Sequence, residues 1–236
     1  MKSNSVFLLL LLSVYLVHAQ DKLEPVDYVS ILVGTQSKFE LSNGNTYPAI
    51  AMPWGMNFWT PQTGKMGDGW IYRYDADKIR GFKQTHQPSP WMNDYGQFSI
   101  MPMTDKIEFN EEKRASWFSH KAEIAKPYYY SVYLADYDVT TEITPTERAA
   151  VFRFTFPETT RSYVLVDAFD KGSAVEILAE KKAIIGYTTR NSRGVPENFK
   201  NYFVIVFDKP FEYKSVVKSG EILQGIHKVE DNHAGA

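Results

Sequence analysis

From Tyr128 onward the chain consists of short runs rich in β-branched and aromatic residues: Tyr128–Leu134, Tyr137–Ile143, Ala149–Phe156, Ser162–Ala168, Ala183–Thr189, Tyr202–Phe207 and Phe211–Val217. The runs recur about every 8 to 12 residues with polar breaks between them, which is the spacing of an antiparallel β-sandwich. Polar residues alternate with apolar ones in Val151-Phe152-Arg153-Phe154-Thr155-Phe156, the pattern of a half-buried strand. Phe203-Val204-Ile205-Val206-Phe207 has no alternation and is expected to be buried on both faces. Glu221–Lys228 reads as a further strand, and Ser173–Lys182 is the single helix candidate. Between Asp21 and Pro127 periodicity is lost. Gly and Pro recur, and Asn43-Gly44, Asp68-Gly69 and Pro88-Ser89-Pro90 mark turns. The predicted fold is therefore all-β, an antiparallel sandwich with a loop-rich N-terminal half, in one domain without repeats or a low-complexity linker.

Composition removes several function classes. Lys and Arg total 26 against 28 Asp and Glu, so there is no basic excess to neutralise a phosphate backbone. Cysteine is absent, which excludes disulfides, thiolate zinc sites, iron–sulfur clusters and cysteine nucleophiles. Aromatic residues reach 15%, which suits a β-rich fold or a surface that stacks on sugar rings.

Residues 1–20, MKSNSVFLLLLLSVYLVHAQ, combine a positive start at Lys2, an apolar run from Phe7 to Val17, and small residues at Val17-His18-Ala19. This is the layout of a secretory signal peptide cut after Ala19, and the apolar run is short for a membrane span. The expected mature chain is 20–236. Cleavage removes Lys2 alone among the charged residues and moves the net charge from -2 to -3. Export without disulfides, and without an Asn-x-Ser/Thr sequon, points to a bacterial periplasm or cell surface.

Two loops concentrate candidate chemistry. Gly67-Asp68-Gly69-Trp70-Ile71-Tyr72-Arg73-Tyr74 crowds aromatics, a carboxylate and an arginine between glycines. Gly81 to Gly96 carries His86, two prolines, Trp91 and Asp94-Tyr95-Gly96. Proline-stiffened loops hold side chains in place before a ligand arrives, which lowers the ordering cost of binding. Trp70, Trp91 and Tyr95 offer flat faces to a sugar, and Asp94, His86 and Arg73 offer hydrogen bonds to its hydroxyls. The alternative is a satellite core, since Trp and Tyr often pack beneath long loops. No His pair has ligand spacing, no EF-hand loop, phosphate loop or G-x-S-x-G occurs, and no carboxylate pair stands out as general acid and base.

The same loops carry a family resemblance. Val26-Asp27-Tyr28-Val29-Ser30-Ile31-Leu32-Val33-Gly34-Thr35 resembles the opening "VDPFIGT" of the glycoside hydrolase family 92 α-mannosidases. Asn45-Thr46-Tyr47-Pro48-Ala49 with Pro53-Trp54-Gly55-Met56 resembles "TFPGA…PFGM". Gly69-Trp70-Ile71-Tyr72, Gly81-Phe82 through Thr85-His86, Asp94-Tyr95-Gly96, Phe118-Ser119-His120 and Pro127-Tyr128-Tyr129 follow in family order. The chain departs from the pattern at Gln36–Glu40 and at Trp54, where the family has Phe.

The resemblance implies a supersandwich-like N-terminal domain packed on an (α/α)6 barrel that this chain lacks, in a secreted, inverting exo-α-mannosidase acting on mannose-containing glycans. It implies that the catalytic acid, the catalytic base and a calcium ion belong to the barrel and the bound sugar, so that this chain holds no catalytic residue and no metal. Its share is the pocket rim, with Trp70, Tyr72, His86, Trp91, Asp94 and Tyr95 expected at the sugar. A stand-alone carbohydrate-binding module is the alternative function.

Overall fold

The computed structural model describes residues 23–36, 46–65, 72–85, 98–191, 195–213 and 215–236. The signal segment therefore lies outside the described residues. The strands are β1 Phe58–Gln62, β2 Lys78–Ile79, β3 Gly81–Thr85, β4 Phe98–Thr104, β5 Ser116–Trp117, β6 Ile124–Lys126, β7 Tyr129–Leu134, β8 Val139–Pro145, β9 Ala150–Thr155, β10 Ser162–Asp167, β11 Ser173–Leu178, β12 Ala183–Thr188, β13 Asn201–Val206, β14 Ser215–Lys218, β15 Glu221–Gln224, β16 Lys228–Asp231 and β17 Ala234–Gly235. Helix is confined, among the described residues, to 3-10 turns at Pro25–Tyr28, His120–Ala122 and Ala179–Lys181.

A seven-stranded sheet in the order β1-β3-β4-β10-β17-β14-β15 faces two four-stranded sheets, β6-β7-β8-β9 and β13-β12-β11-β16. Every pairing is antiparallel. Register explains how both small sheets reach the same face. Trp59, Gln84 and Phe98 stand opposite one another across β1, β3 and β4, as do Pro61, Phe82, Ile100 and Val166 across β1, β3, β4 and β10. From this face Trp59 meets Phe152 of β9 edge-on at 4.7 Å, Phe82 meets Tyr130 of β7 at 6.2 Å, and Phe98 stacks on Phe203 of β13 at 4.3 Å. These aromatic contacts anchor one continuous core.

The reverse face of the large sheet is also buried but polar. Thr60, Lys83, Ser99 and Asp167 form a row across β1, β3, β4 and β10, and all are enclosed. Asp167 accepts from Arg114 Nη1 at 2.8 Å, from the Phe169 amide at 3.0 Å and pairs with His233 Nε2 at 2.7 Å. Arg114 also donates to the carbonyls of Arg80 and Phe109, each at 2.8 Å. Lys83 lies over the Phe169 ring at 5.1 Å. A buried charge needs such partners, because its desolvation cost is large.

Three expectations are corrected. Ser173–Leu178 is a strand, held between β12 and β16, and only Ala179–Lys181 turns helically before Lys182 reverses the chain in the left-handed region. Apolar residues at 174, 175, 177 and 178 fit either period, and pairing on both edges decides for the strand. The run 203–207 is not buried on both faces. β13 is an edge strand whose Tyr202, Val204 and Val206 point to solvent at 75, 67 and 69% exposure, while Phe203 is buried. Finally, Glu221–Lys228 breaks at Gly225, with β15 joining the large sheet and β16 the smaller one.

Candidate functional site

The sequence blocks that carry the resemblance converge. Asp27 is bound by the Tyr128 hydroxyl, and its carbonyl by Lys126 Nζ. Gly34 has φ +81°, and a Cβ there would stand 2.6 Å from Thr46 Oγ1, so the chain crosses itself where no side chain fits. Thr46 Oγ1 in turn donates to the Val33 carbonyl at 2.9 Å. The Tyr74 amide donates to the Thr35 carbonyl at 3.2 Å, and the Ala51 amide to Pro127 at 2.9 Å. Segments some 100 residues apart are thus sewn into one layer beside the edge strand β1.

At the centre of this layer lies Glu123, whose side chain is 1% exposed. Its Oε2 is 2.5 Å from His120 Nδ1, and its Oε1 accepts from the Tyr130 hydroxyl at 2.6 Å. His120 Nε2 is 2.7 Å from the Tyr74 carbonyl, and the His120 ring stacks on Tyr74 at 3.9 Å. Tyr72 is fully enclosed with Tyr47 in a small separate cluster. Burial first, and then the nearby Glu123 charge, push the Tyr72 phenol above its usual range. Burial and Glu123 do the same to Tyr130.

Of the six expected rim residues, Trp70, His86, Trp91, Asp94 and Tyr95 lie outside the described residues. Tyr72 is described, and it is enclosed: it offers no surface to a sugar, and the satellite-core reading fits its position. It holds the exit of the loop that contains Trp70. The flanks of both loops are placed. The first loop leaves after Lys65, which pairs with Glu112, and it returns at Tyr72. The second leaves β3 at Thr85 and returns at Phe98. The register sets Gln62 opposite Gly81 and Phe58 opposite Thr85, so the two departures stand at opposite ends of the β1–β3 ladder. The first loop returns beside its own departure, where the Arg73 amide donates to Thr63 Oγ1 at 2.9 Å, while Tyr47, packed with Tyr72, hydrogen-bonds Thr85. Glu123 was missed from sequence. Its spacing to His120, three residues on, was the available signal.

No three His, Asp or Glu side chains gather closely enough among the described residues to hold a metal ion.

The family-like blocks thus meet in one layer beside β1 of an antiparallel sandwich. The chain belongs to the glycosyl hydrolase family 92 N-terminal domain family, whose model matches residues 28–236. It is similar to a family 92 inverting mannosidase of Bacteroides thetaiotaomicron, with 45% identity and a TM-score of 0.85, covering 92% of this chain and 29% of that one. A family 92 α-mannosidase of the same organism aligns with 25% identity and a TM-score of 0.73, covering 89% of this chain and 30% of that one. An uncharacterized secreted glycosidase of Arthroderma benhamiae is 26% identical over 151 residues, which is 60% of this chain and 18% of that protein. The chain thus spans less than a third of the length of these relatives. No helix among the described residues is long and apolar enough to cross a membrane.

Proposed function

We propose that the chain is the sandwich part of a secreted, calcium-dependent, inverting exo-α-mannosidase that removes terminal mannose from glycans. Likeness to the Bacteroides inverting mannosidase carries this reading. In such a reaction one carboxylic acid protonates the leaving oxygen while a carboxylate-activated water attacks from the opposite face, which requires two carboxyl groups roughly 6.5 to 9.5 Å apart. Among the described residues, the buried carboxylates Asp167 and Glu123 are committed to the fold, Asp167 to Arg114 and Glu123 to His120 and Tyr130. Acid, base and calcium ligands are therefore assigned to a barrel domain beyond this chain, and Trp70, His86, Trp91, Asp94 and Tyr95 to the rim. There they orient the sugar rather than transfer its proton. The signal at 1–19 sends the protein to a bacterial periplasm or cell surface.

The exposed knuckle at Met52-Pro53-Trp54-Gly55-Met56 supports a face meant to be covered. Trp54 is completely exposed, and Met56 is 63% exposed. The turn is fixed by the Gly55 amide donating to Met52 and the Met56 amide to Glu147, at 2.9 and 2.7 Å. An apolar knuckle held rigidly in water suits packing against another domain.

The test compares two proteins on an aryl α-mannoside with calcium. Residues 20–236 alone should show no turnover. The protein encoded by the uninterrupted gene should hydrolyse the substrate with inversion. In it, Trp70→Ala and Asp94→Ala should each lower kcat/KM by orders of magnitude without changing the folded fraction. Turnover by residues 20–236, abolished by one of their own acidic substitutions, refutes the assignment. Tight glycan binding by this chain, with a stop codon after Ala236, favours the stand-alone binding module.

A further inference from the structure

Where β13 diverges from the large sheet, the two inner faces open into a groove of about 580 Å³, within the range of small-molecule sites. It is lined by Trp59, Gln84, Phe98, Arg148, Asn201 and Phe203 among others. The floor is aromatic: Phe98 stacks on Phe203 at 4.3 Å and meets Trp59 edge-on at 5.5 Å. The Trp59 indole is fixed by its own hydrogen bond to Asn57 Oδ1 at 2.7 Å. Gln84 stands opposite Phe98 across the β3–β4 ladder. Asn201 is two residues before Phe203 on β13 and so shares its inward face.

Both amides carry a buried atom without a partner. Among the described residues nothing donates to Gln84 Oε1 and nothing accepts from Asn201 Nδ2, although both atoms are withdrawn from solvent. Such groups cost free energy unless something satisfies them. One needs a donor and the other an acceptor. An anion satisfies only Asn201 and an ammonium only Gln84. A hydroxyl both donates and accepts, and vicinal hydroxyls on an otherwise apolar ring suit two amides above an aromatic floor.

We propose that this groove is a second carbohydrate-binding site, which takes a neutral hexose through two ring hydroxyls. Gln84 accepts from one hydroxyl, Asn201 donates to the other, and the ring's C–H face lies toward Trp59 and the phenylalanine pair. The choice of mannose as the hexose rests on the mannosidase reading; the groove itself does not. In the whole protein such a site would hold a neighbouring branch of the glycan while the rim presents the terminal sugar.

The experiment uses residues 20–236 and follows methyl α-D-mannopyranoside and methyl α-D-glucopyranoside by isothermal titration and by NMR shifts of the Trp59 indole and the Gln84 and Asn201 side-chain amides. Saturable millimolar binding of either sugar that shifts these three groups is expected. Gln84→Ala and Asn201→Ala should each weaken it at least tenfold at unchanged melting temperature, and Trp70→Ala should leave it intact. Binding of the glucoside alone supports the groove but counts against mannose as its ligand, and so against the reading on which that choice rests. Binding lost in Trp70→Ala but kept in both amide variants overturns the groove and leaves the rim reading standing. No binding of either sugar up to 50 mM, on the order of ten times a millimolar Kd, overturns the groove outright and leaves the mannosidase assay to decide the rest.

Discussion

Replacing Asp167 by Asn should be among the most damaging isosteric changes in this chain. The side chain is 1% exposed and its partner Arg114 is fully enclosed. Asp167 joins four segments at once: β10, the Phe109–Arg114 loop, the Phe169 turn and His233 beside β17. Asparagine keeps the shape and one acceptor, but it removes the charge that neutralises Arg114 and turns an amide N–H₂ toward a guanidinium. Breaking one partner of a buried pair costs about 3–5 kcal/mol. At about 2–4 °C per kcal/mol for a chain of this size, the melting temperature should fall by roughly 6–20 °C.

The acid limb adds an independent sign. Burial by itself raises the Asp167 carboxyl, but Arg114, His233 and the Phe169 amide outweigh it and hold the group below its ordinary value. A depressed carboxylate contributes stability that is present above the unfolded value near pH 4 and is lost as pH falls through the lower folded value. Urea unfolding between pH 2 and pH 7 should therefore show wild type weakening below about pH 4, with that weakening much reduced in Asp167→Asn. The double variant Arg114→Met with Asp167→Leu should be less damaging than the two single changes added together, since an apolar pair leaves no orphaned charge. If Asp167→Asn costs less than about 1 kcal/mol and keeps the wild-type acid limb, the pairing argument is wrong.

Two further changes probe backbone positions. At Gly186 a Cβ would stand 2.4 Å from both the Ala174 carbonyl and Phe203 Cζ, so Gly186→Ala should cost about 1–3 kcal/mol and move the Phe98 and Phe203 ring resonances. An unchanged melting temperature would show that β11 and β12 are farther apart than described. Trp54 holds φ 61° with its side chain wholly in water, so Trp54→Gly should raise the stability of this chain by up to about 1 kcal/mol. If the proposed barrel domain is present, the same change should lower the activity of that protein, and a loss of stability in the chain alone would show that Trp54 packs where it is.

The strands from Tyr129 to Val206 could be read because each apolar run ends in a polar break, and β9 shows why. Phe152 and Phe154 turn inward and Val151 and Arg153 outward, as the alternation requires. The runs that misled were uniformly apolar. Tyr202 to Val206 carries no polar residue to mark its outer face, and whether such a strand lies inside or at an edge is decided by strand order, which is not a local property. In the N-terminal half the strands are short and the chain is fixed by single contacts between distant segments, such as Tyr74 to Thr35 and Ala51 to Pro127. Hydrophobic periodicity does not register contacts of that kind.

The site was legible to a different degree. Family-like blocks marked where the chain comes together, but not what each residue does there. His120 reads as a turn residue and Tyr72 as a rim aromatic, yet both surround Glu123, and the pair Tyr130 and His120 leaves that carboxylate no free oxygen for catalysis. Burial, and then the Glu123 charge, raise the phenols of Tyr72 and Tyr130, so both rings stay neutral across ordinary pH. A carboxylate meant to move protons needs an open side toward the substrate. Glu123 faces only its own anchors, which makes it a clamp that sets Tyr74 and Tyr72, and through them the end of the loop bearing Trp70.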